Sequence, residues 1–189
     1  MTNVCRCPWV GTSELMIKYH DEEWGVPLHD DPKLFEFITL DAFQAGLSWA
    51  CIINKRENFR LAFDNFDAAK IALYGDAKIS QLLENSGIIR NKAKINATIT
   101  NARCFLEIQA QFGSFDKYIW QFTKGKTLVN KCAELSHVPV NSPESDAMSK
   151  DLKKRGFKFV GTTICYAFMQ AAGMVNDHLL TCFRYSQVK

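Results

Sequence analysis

The stretch LKKRGFKFVGTTICYAFMQAAG, Leu152 to Gly173, decides how the rest of the chain is read. Gly156 closes one helical run and Gly161 opens the next, with only FKFV between them. So short an apolar link makes a hairpin. Phe157 or Phe159 packs inward, and the backbone N–H groups of Gly161, Thr162 and Thr163 face out at a helix N-terminus. Unpaired N–H groups and the helix dipole make that end an anion site. The two threonine hydroxyls and Lys158 add donors. A nucleic-acid phosphate suits such a site, and the contact carries no sequence information. Lys150, Lys153, Lys154, Arg155 and Lys158 crowd the same region, with Asp151 the sole acid among them. The plain alternative is a helical connection with a solvated basic face.

Outward from the hairpin the pattern stays helical. SPESDAMSKDLKKRG leads into it, and HVPVNSP before that is the clearest loop. NKAKINATITNARCFLEIQAQFG reads as a long amphipathic helix ending at Gly113. SFDKYIWQF, AKISQLLENSG and DAAKIALYG read as shorter ones, the last with Asp67 as cap. A helix is expected from about Ser48 to Phe63. DPKLFEFITLDAF opens with Asp31 as the expected cap and Pro32 at the first helical position. GKTLV is the only strand-like piece. The basic group Arg90, Lys92 and Lys94 reads as a solvated face.

A chain of 189 residues, 47% hydrophobic and 23% charged, fits one domain with a sizeable core. No apolar run nears the ~20 residues of a membrane helix. The N-terminus lacks the basic-then-apolar order of an export signal, so the cytoplasm is the expected compartment. Seven cysteines and no signal argue for thiols or metal ligands over disulfides. The net charge of +3 is a mild hint of an anionic partner.

Two constellations point to chemistry. Cys7 and His20 lie near one end of the chain, His178 and Cys182 near the other. If HLLTC is helical, its histidine and cysteine share a face at i, i+4. Two thiolates and two imidazoles make a closed zinc site of structural type, which would pin ends that otherwise fray. Spacing leaves Cys5 open as an alternative to Cys7. The second constellation is Trp9, Tyr19, Trp24 and Trp49 around Asp41, a set that can stack on a base and bond its edge. In one unbroken helix Asp41 and Trp49 would stand ~12 Å apart along the axis. Gly46 offers the break that brings Trp49 back. The turn at Ala45, Gly46 and Leu47 then presents an apolar tip able to wedge into a base stack. Otherwise Leu47 is a core leucine.

These residues resemble the 3-methyladenine DNA glycosylase I family of the helix-hairpin-helix superfamily. The likeness rests on CPWV, YHDEEWGVP, LFEFITLDAFQAGLSW, KKRENFR, GIIRNKAKI and LKKRGFKFVGTTICYAFMQAAGMVNDH, and spans nearly the whole chain. It implies an all-α helix-hairpin-helix DNA glycosylase fold, one domain over 1–189 with the hairpin unit at about 146–173. It implies structural zinc on Cys7, His20, His178 and Cys182, joining segments 7–20 and 178–182 and favouring Cys7 over Cys5. It implies a base pocket of Trp9, Met16, Tyr19, Trp24 and Trp49 and a duplex probe at Ala45 to Leu47. Asp41 stands where the family has a glutamate, and Met16 where many members have a tyrosine.

The expected activity is hydrolytic release of 3-methyladenine from alkylated double-stranded DNA by a bacterial, cytoplasmic, nucleoid-associated monomer. Lyase-type relatives carry a lysine where Thr163 stands, so no strand cleavage is expected. Asp177, beside His178, reads as structural. The competing expectation is a damaged-DNA binding protein of the same fold without excision.

Overall fold

Ten consecutive residues, Leu34 to Phe43, are buried in one helix near the middle of the molecule. A helix apolar on most sides has to sit inside a fold, with other helices around it. The computed structural model describes residues 4–188; residues 1–3 and 189 of the expected domain lie outside it. In chain order the helices are α1 (Glu14–Glu22), α2 (Asp31–Gln44), α3 (Trp49–Ile53), α4 (Arg56–Ala62) and α5 (Ala68–Ile71). They continue with α6 (Asp76–Glu84), α7 (Lys92–Phe112), α8 (Phe115–Ile119), α9 (Pro143–Lys154) and α10 (Thr162–Ala171). The buried helix is α2, which packs against α3, α7, α8 and α10. Phenylalanines in tilted and edge-to-face contact fill the space beside it. Phe35 and Phe105 lie 4.8 Å apart between ring centres, Phe105 and Phe115 4.5 Å, and Phe43 and Phe59 4.7 Å.

The hairpin forms as its glycines dictate. Ser142 caps α9 in a capping box with Ser145, and Pro143 holds the first helical position. Gly156 turns the chain at φ 99°, where a side chain would be strained. Phe157 goes into the core at 2% exposure, while Phe159 points out at 37%. The link is fixed from α7 and α9. Asn101 donates to the Lys158 carbonyl and accepts from the Lys158 N–H, at 3.0 and 2.8 Å. Ser149 donates to the Val160 carbonyl at 2.7 Å.

Several expectations need correction. The cap of α2 is Asp30, whose side chain accepts from the Lys33 N–H. Asp31 is instead the first helical residue, and its carboxylate accepts from the N–H groups of Phe115 and Asp116 at the start of α8, both at 2.8 Å. The expected helix from Ser48 to Phe63 is two, because the chain turns at Asn54 and Lys55 between α3 and α4. A short parallel pair joins β1 (Leu128–Val129) to β2 (Val175–Asn176), so the largely helical fold carries one small sheet. Only its first strand was visible in the sequence. Finally, Lys94 is not on a solvated face. It is 7% exposed, and its ammonium donates to the carbonyls of Phe43 and Ala45 at 2.8 and 2.7 Å.

Candidate active site

Helix α2 takes Asp41 into the interior and then stops. Ala45 leaves the helix with ψ 114°, and Gly46 adopts φ 79°. Ser48 restarts the chain by accepting from the Cys51 N–H, which makes Trp49 the first residue of α3. The break therefore returns Trp49 to the side of Asp41, and both line one cavity of about 530 Å³. Met16 and Tyr19, one turn apart on α1, line it too, as do Trp9 and Trp24. Tyr19 and Trp49 approach to 5.0 Å between ring centres, Trp9 and Trp24 to 4.9 Å edge to face.

Two polar atoms here lack partners. Asp41 is 2% exposed, and its Oδ2 is buried without a hydrogen bond. The indole Nε1 of Trp49 is buried and unpaired as well. Buried polar atoms are almost always satisfied, so a lone acceptor and a lone donor on one cavity call for a ligand with complementary edges. Burial pushes the Asp41 carboxyl well above the usual carboxylate range, with no cation among the described residues to oppose it. Burial likewise raises the Tyr19 phenol, with the Asp41 carboxylate adding to it.

Behind the rings lies the cysteine–histidine constellation. Cys7, His20, His178 and Cys182 are all buried, with one donor atom from each within 4.8 Å of the others. Cys182 Sγ is 3.5 Å from His20 Nε2 and 4.0 Å from His178 Nδ1, and Cys7 Sγ is 3.9 Å from His178 Nδ1. Metal–ligand bonds of 2.0–2.3 Å in a tetrahedron give edges of roughly 3.4–3.8 Å, so the set is slightly wider than a closed site. The outer ring nitrogens settle its polarity. His20 Nδ1 meets Asp21 at 2.7 Å, and Asp21 is itself held by Arg6. His178 Nε2 meets the Trp24 carbonyl at 3.2 Å. Each imidazole so turns a lone pair to the centre, the arrangement that orients metal-bound histidines. Hydrogen bonding between the two sulfurs lowers the pKa of Cys182 and raises that of Cys7, so Cys182 is the more readily ionised of the pair. The donors fit a metal ion. HLLTC is not helical, so the i, i+4 face is not what joins its histidine and cysteine. A turn closed by the Cys182 N–H on the Leu179 carbonyl brings Cys182 round to His178.

The model of the methyladenine glycosylase family matches residues 9–185. The chain belongs to that family. It is 49% identical over 180 residues to DNA-3-methyladenine glycosylase 1 of Escherichia coli (strain K12), covering 95% of this chain and 96% of that one. It is 48% identical over 177 residues to the DNA-3-methyladenine glycosylase of Haemophilus influenzae, covering 94% and 96%. A crystal structure of 3-methyladenine DNA glycosylase I superposes with a TM-score of 0.93 at 51% identity, covering 95% of this chain and 98% of that one. A variant of 3-methyladenine DNA glycosylase I, crystallised in complex with 3-methyladenine, superposes with a TM-score of 0.91 at 32% identity, covering 94% and 96%.

In this methyladenine glycosylase the rim of the cavity is built from three pieces. Leu47 stands out from the Ala45–Leu47 turn at 41% exposure. Thr163, at the start of α10, lines the cavity, while Gly161 caps that helix and Lys158 lies exposed on the hairpin. Thr162 is less free than its position suggests, since its hydroxyl shares a hydrogen bond with Ser145 at 2.8 Å. The third piece was missed in the sequence. Leu135, Val138, Pro139 and Val140 form an apolar wall opposite the rings. Their signal was there: a loop this rich in apolar side chains has something to cover. Asp177 also reaches the cavity, but Asn130, Tyr166 and Gln170 all donate to it at 2.6–2.8 Å. Its carboxylate ties α10 to the segment after β1.

Proposed function

We propose that the chain is a monofunctional DNA glycosylase that hydrolyses the N-glycosidic bond of 3-methyladenine in alkylated duplex DNA. The observation that supports this best is the unpaired Asp41 carboxyl inside a cage of aromatic rings. Methylation at N3 makes the adenine a cation and weakens its bond to the sugar, so the leaving group needs little protonation. Trp9, Tyr19, Trp24 and Trp49 stack around the extruded base and favour its cationic form. Asp41 accepts a hydrogen bond from the base and neutralises its charge, and Trp49 Nε1 offers a donor to an acceptor edge. Neutral adenine gains neither charge term. Water completes the hydrolysis.

The Ala45–Leu47 turn enters the duplex in place of the extruded nucleotide. Lys158 and the α10 N-terminus hold phosphates. Thr163 cannot form a Schiff base with the sugar, so the strand stays intact. Cys7, His20, His178 and Cys182 hold zinc, whose part is to fasten the two chain ends. The protein works as a cytoplasmic monomer on the nucleoid.

The test is release of free 3-methyladenine from methylated duplex, beside Asp41→Asn and Asp41→Glu. Wild type releases the base, and Asp41→Asn loses on the order of a hundredfold in rate, the usual worth of one well-placed electrostatic group. No enzyme–DNA adduct is trapped by borohydride. Inert wild type with an active Asp41→Glu would make this chain a damage-binding protein, disabled by a carboxylate one methylene short.

A further inference from the structure

Lys94 stands where its own helix is least hospitable to a cation. It lies in the first turn of α7, at the positive end of that helix, and its N–H is taken by the cap residue Asn91 at 3.1 Å. The side chain is nevertheless buried, and no carboxylate among the described residues pairs with it. A buried ammonium without a counter-charge is costly. Its partners explain why it is there. The carbonyls of Phe43 and Ala45 flank the point where α2 unwinds, at the negative end of that helix. Asp41 lies two residues before this pair, and Leu47 two residues after it. One ammonium thus spans the joint between the buried acid and the exposed apolar tip.

We propose that Lys94 is a positioning residue, which locks the Ala45–Leu47 turn against Asp41 so that wedge insertion and base capture share one rigid geometry. This rests on the reading of Leu47 as the duplex probe. Trp9, Tyr19 and Trp24 come from α1 and its flanking segments, and Trp49, although it follows the turn, is held by the Ser48 cap and against Tyr19, so the rings stay in place when the clamp is lost. The turn alone is released.

The experiment compares single-turnover excision from methylated duplex with the affinity for free 3-methyladenine, read by tryptophan quenching. Lys94→Met is expected to lose roughly ten- to a hundredfold in excision, the effect of a small misplacement, and to keep its base affinity within about twofold. Equal loss of both would make Lys94 merely structural and overturn the proposal. Should Lys94→Met not fold, Lys94→Gln, which keeps donors near the carbonyls, is expected to show the same split at smaller size. An unsplit or absent effect there overturns it equally. Leu47→Ala separates the two readings. If it excises normally, the probe reading fails and the proposal with it. If it is impaired while Lys94→Met is not, the Lys94 proposal fails alone.

Discussion

Asp41 is held in a state the unliganded protein would do better without. Its pKa is raised in the fold by burial. For an acid that means the stability is fullest below the unfolded value, about 3.9, and is lost as pH rises through the folded value. Asp41→Asn removes that loss. In calorimetry from about pH 4 to about pH 8, the variant should unfold progressively later than wild type as pH rises. Parallel curves would mean that Asp41 is not strained at rest. The acid itself was legible in the sequence as a carboxylate among apolar neighbours. Its lack of a partner was not, because that depends on which side chains from other elements fail to reach it. Lys94 shows the converse. Beside Arg90 and Lys92 it reads as solvated, and only the break in α2, some fifty residues earlier in the chain, gives it a buried task.

At the scale of elements, glycines made the hairpin legible, since Gly156 and Gly161 bound a link too short for anything else. Two adjacent aspartates could not be told apart in the same way. Asp30 and Asp31 both suit a cap, and the choice rests on Asp31 being claimed by α8. A two-residue strand such as Val175–Asn176 is too short to show a period, so its pairing to β1 was invisible. The bend leading into it is nevertheless demanding. At Gly173, φ is 68°, and a Cβ would fall 2.2 Å from the backbone carbon of Val26. Neither side can retreat. The N–H groups of Gly25 and Leu28 bond to the Gln170 and Ala172 carbonyls, and Thr127 donates to the Gly173 carbonyl. Gly173→Ala is therefore expected to cost about 3 kcal/mol, or roughly 6–12 °C in unfolding temperature. A loss under about 1 kcal/mol in denaturant titration would show that the segment at Val26 yields.

Across the whole molecule, the cluster of Cys7, His20, His178 and Cys182 and the base cavity share a wall. Trp24 packs on both imidazoles, at 6.0 Å from His20 and 4.6 Å from His178, and Trp9 meets His20 at 5.4 Å. If the cluster holds zinc as proposed, one ion per chain, loss of that metal should therefore be felt as loss of base affinity as well as of stability. Cys182→Ser is expected to reduce bound zinc from one ion per chain, to cost about 4 kcal/mol, and to weaken binding of free 3-methyladenine. Metal analysis, calorimetry and tryptophan quenching read the three. Full base affinity in a zinc-free, folded variant would uncouple the two sites.

Cys7 and His178 are separated by 171 positions along the chain. During synthesis Trp24 is made 154 residues before the imidazole that backs it. Domains fold as their segments become available during synthesis. This one leaves the rings of its cavity without their support until His178 has been made. A nascent chain can hold most of its phenylalanine core before that point, and still lack a finished cavity. The cavity is thus completed only when the last of its supports has been made.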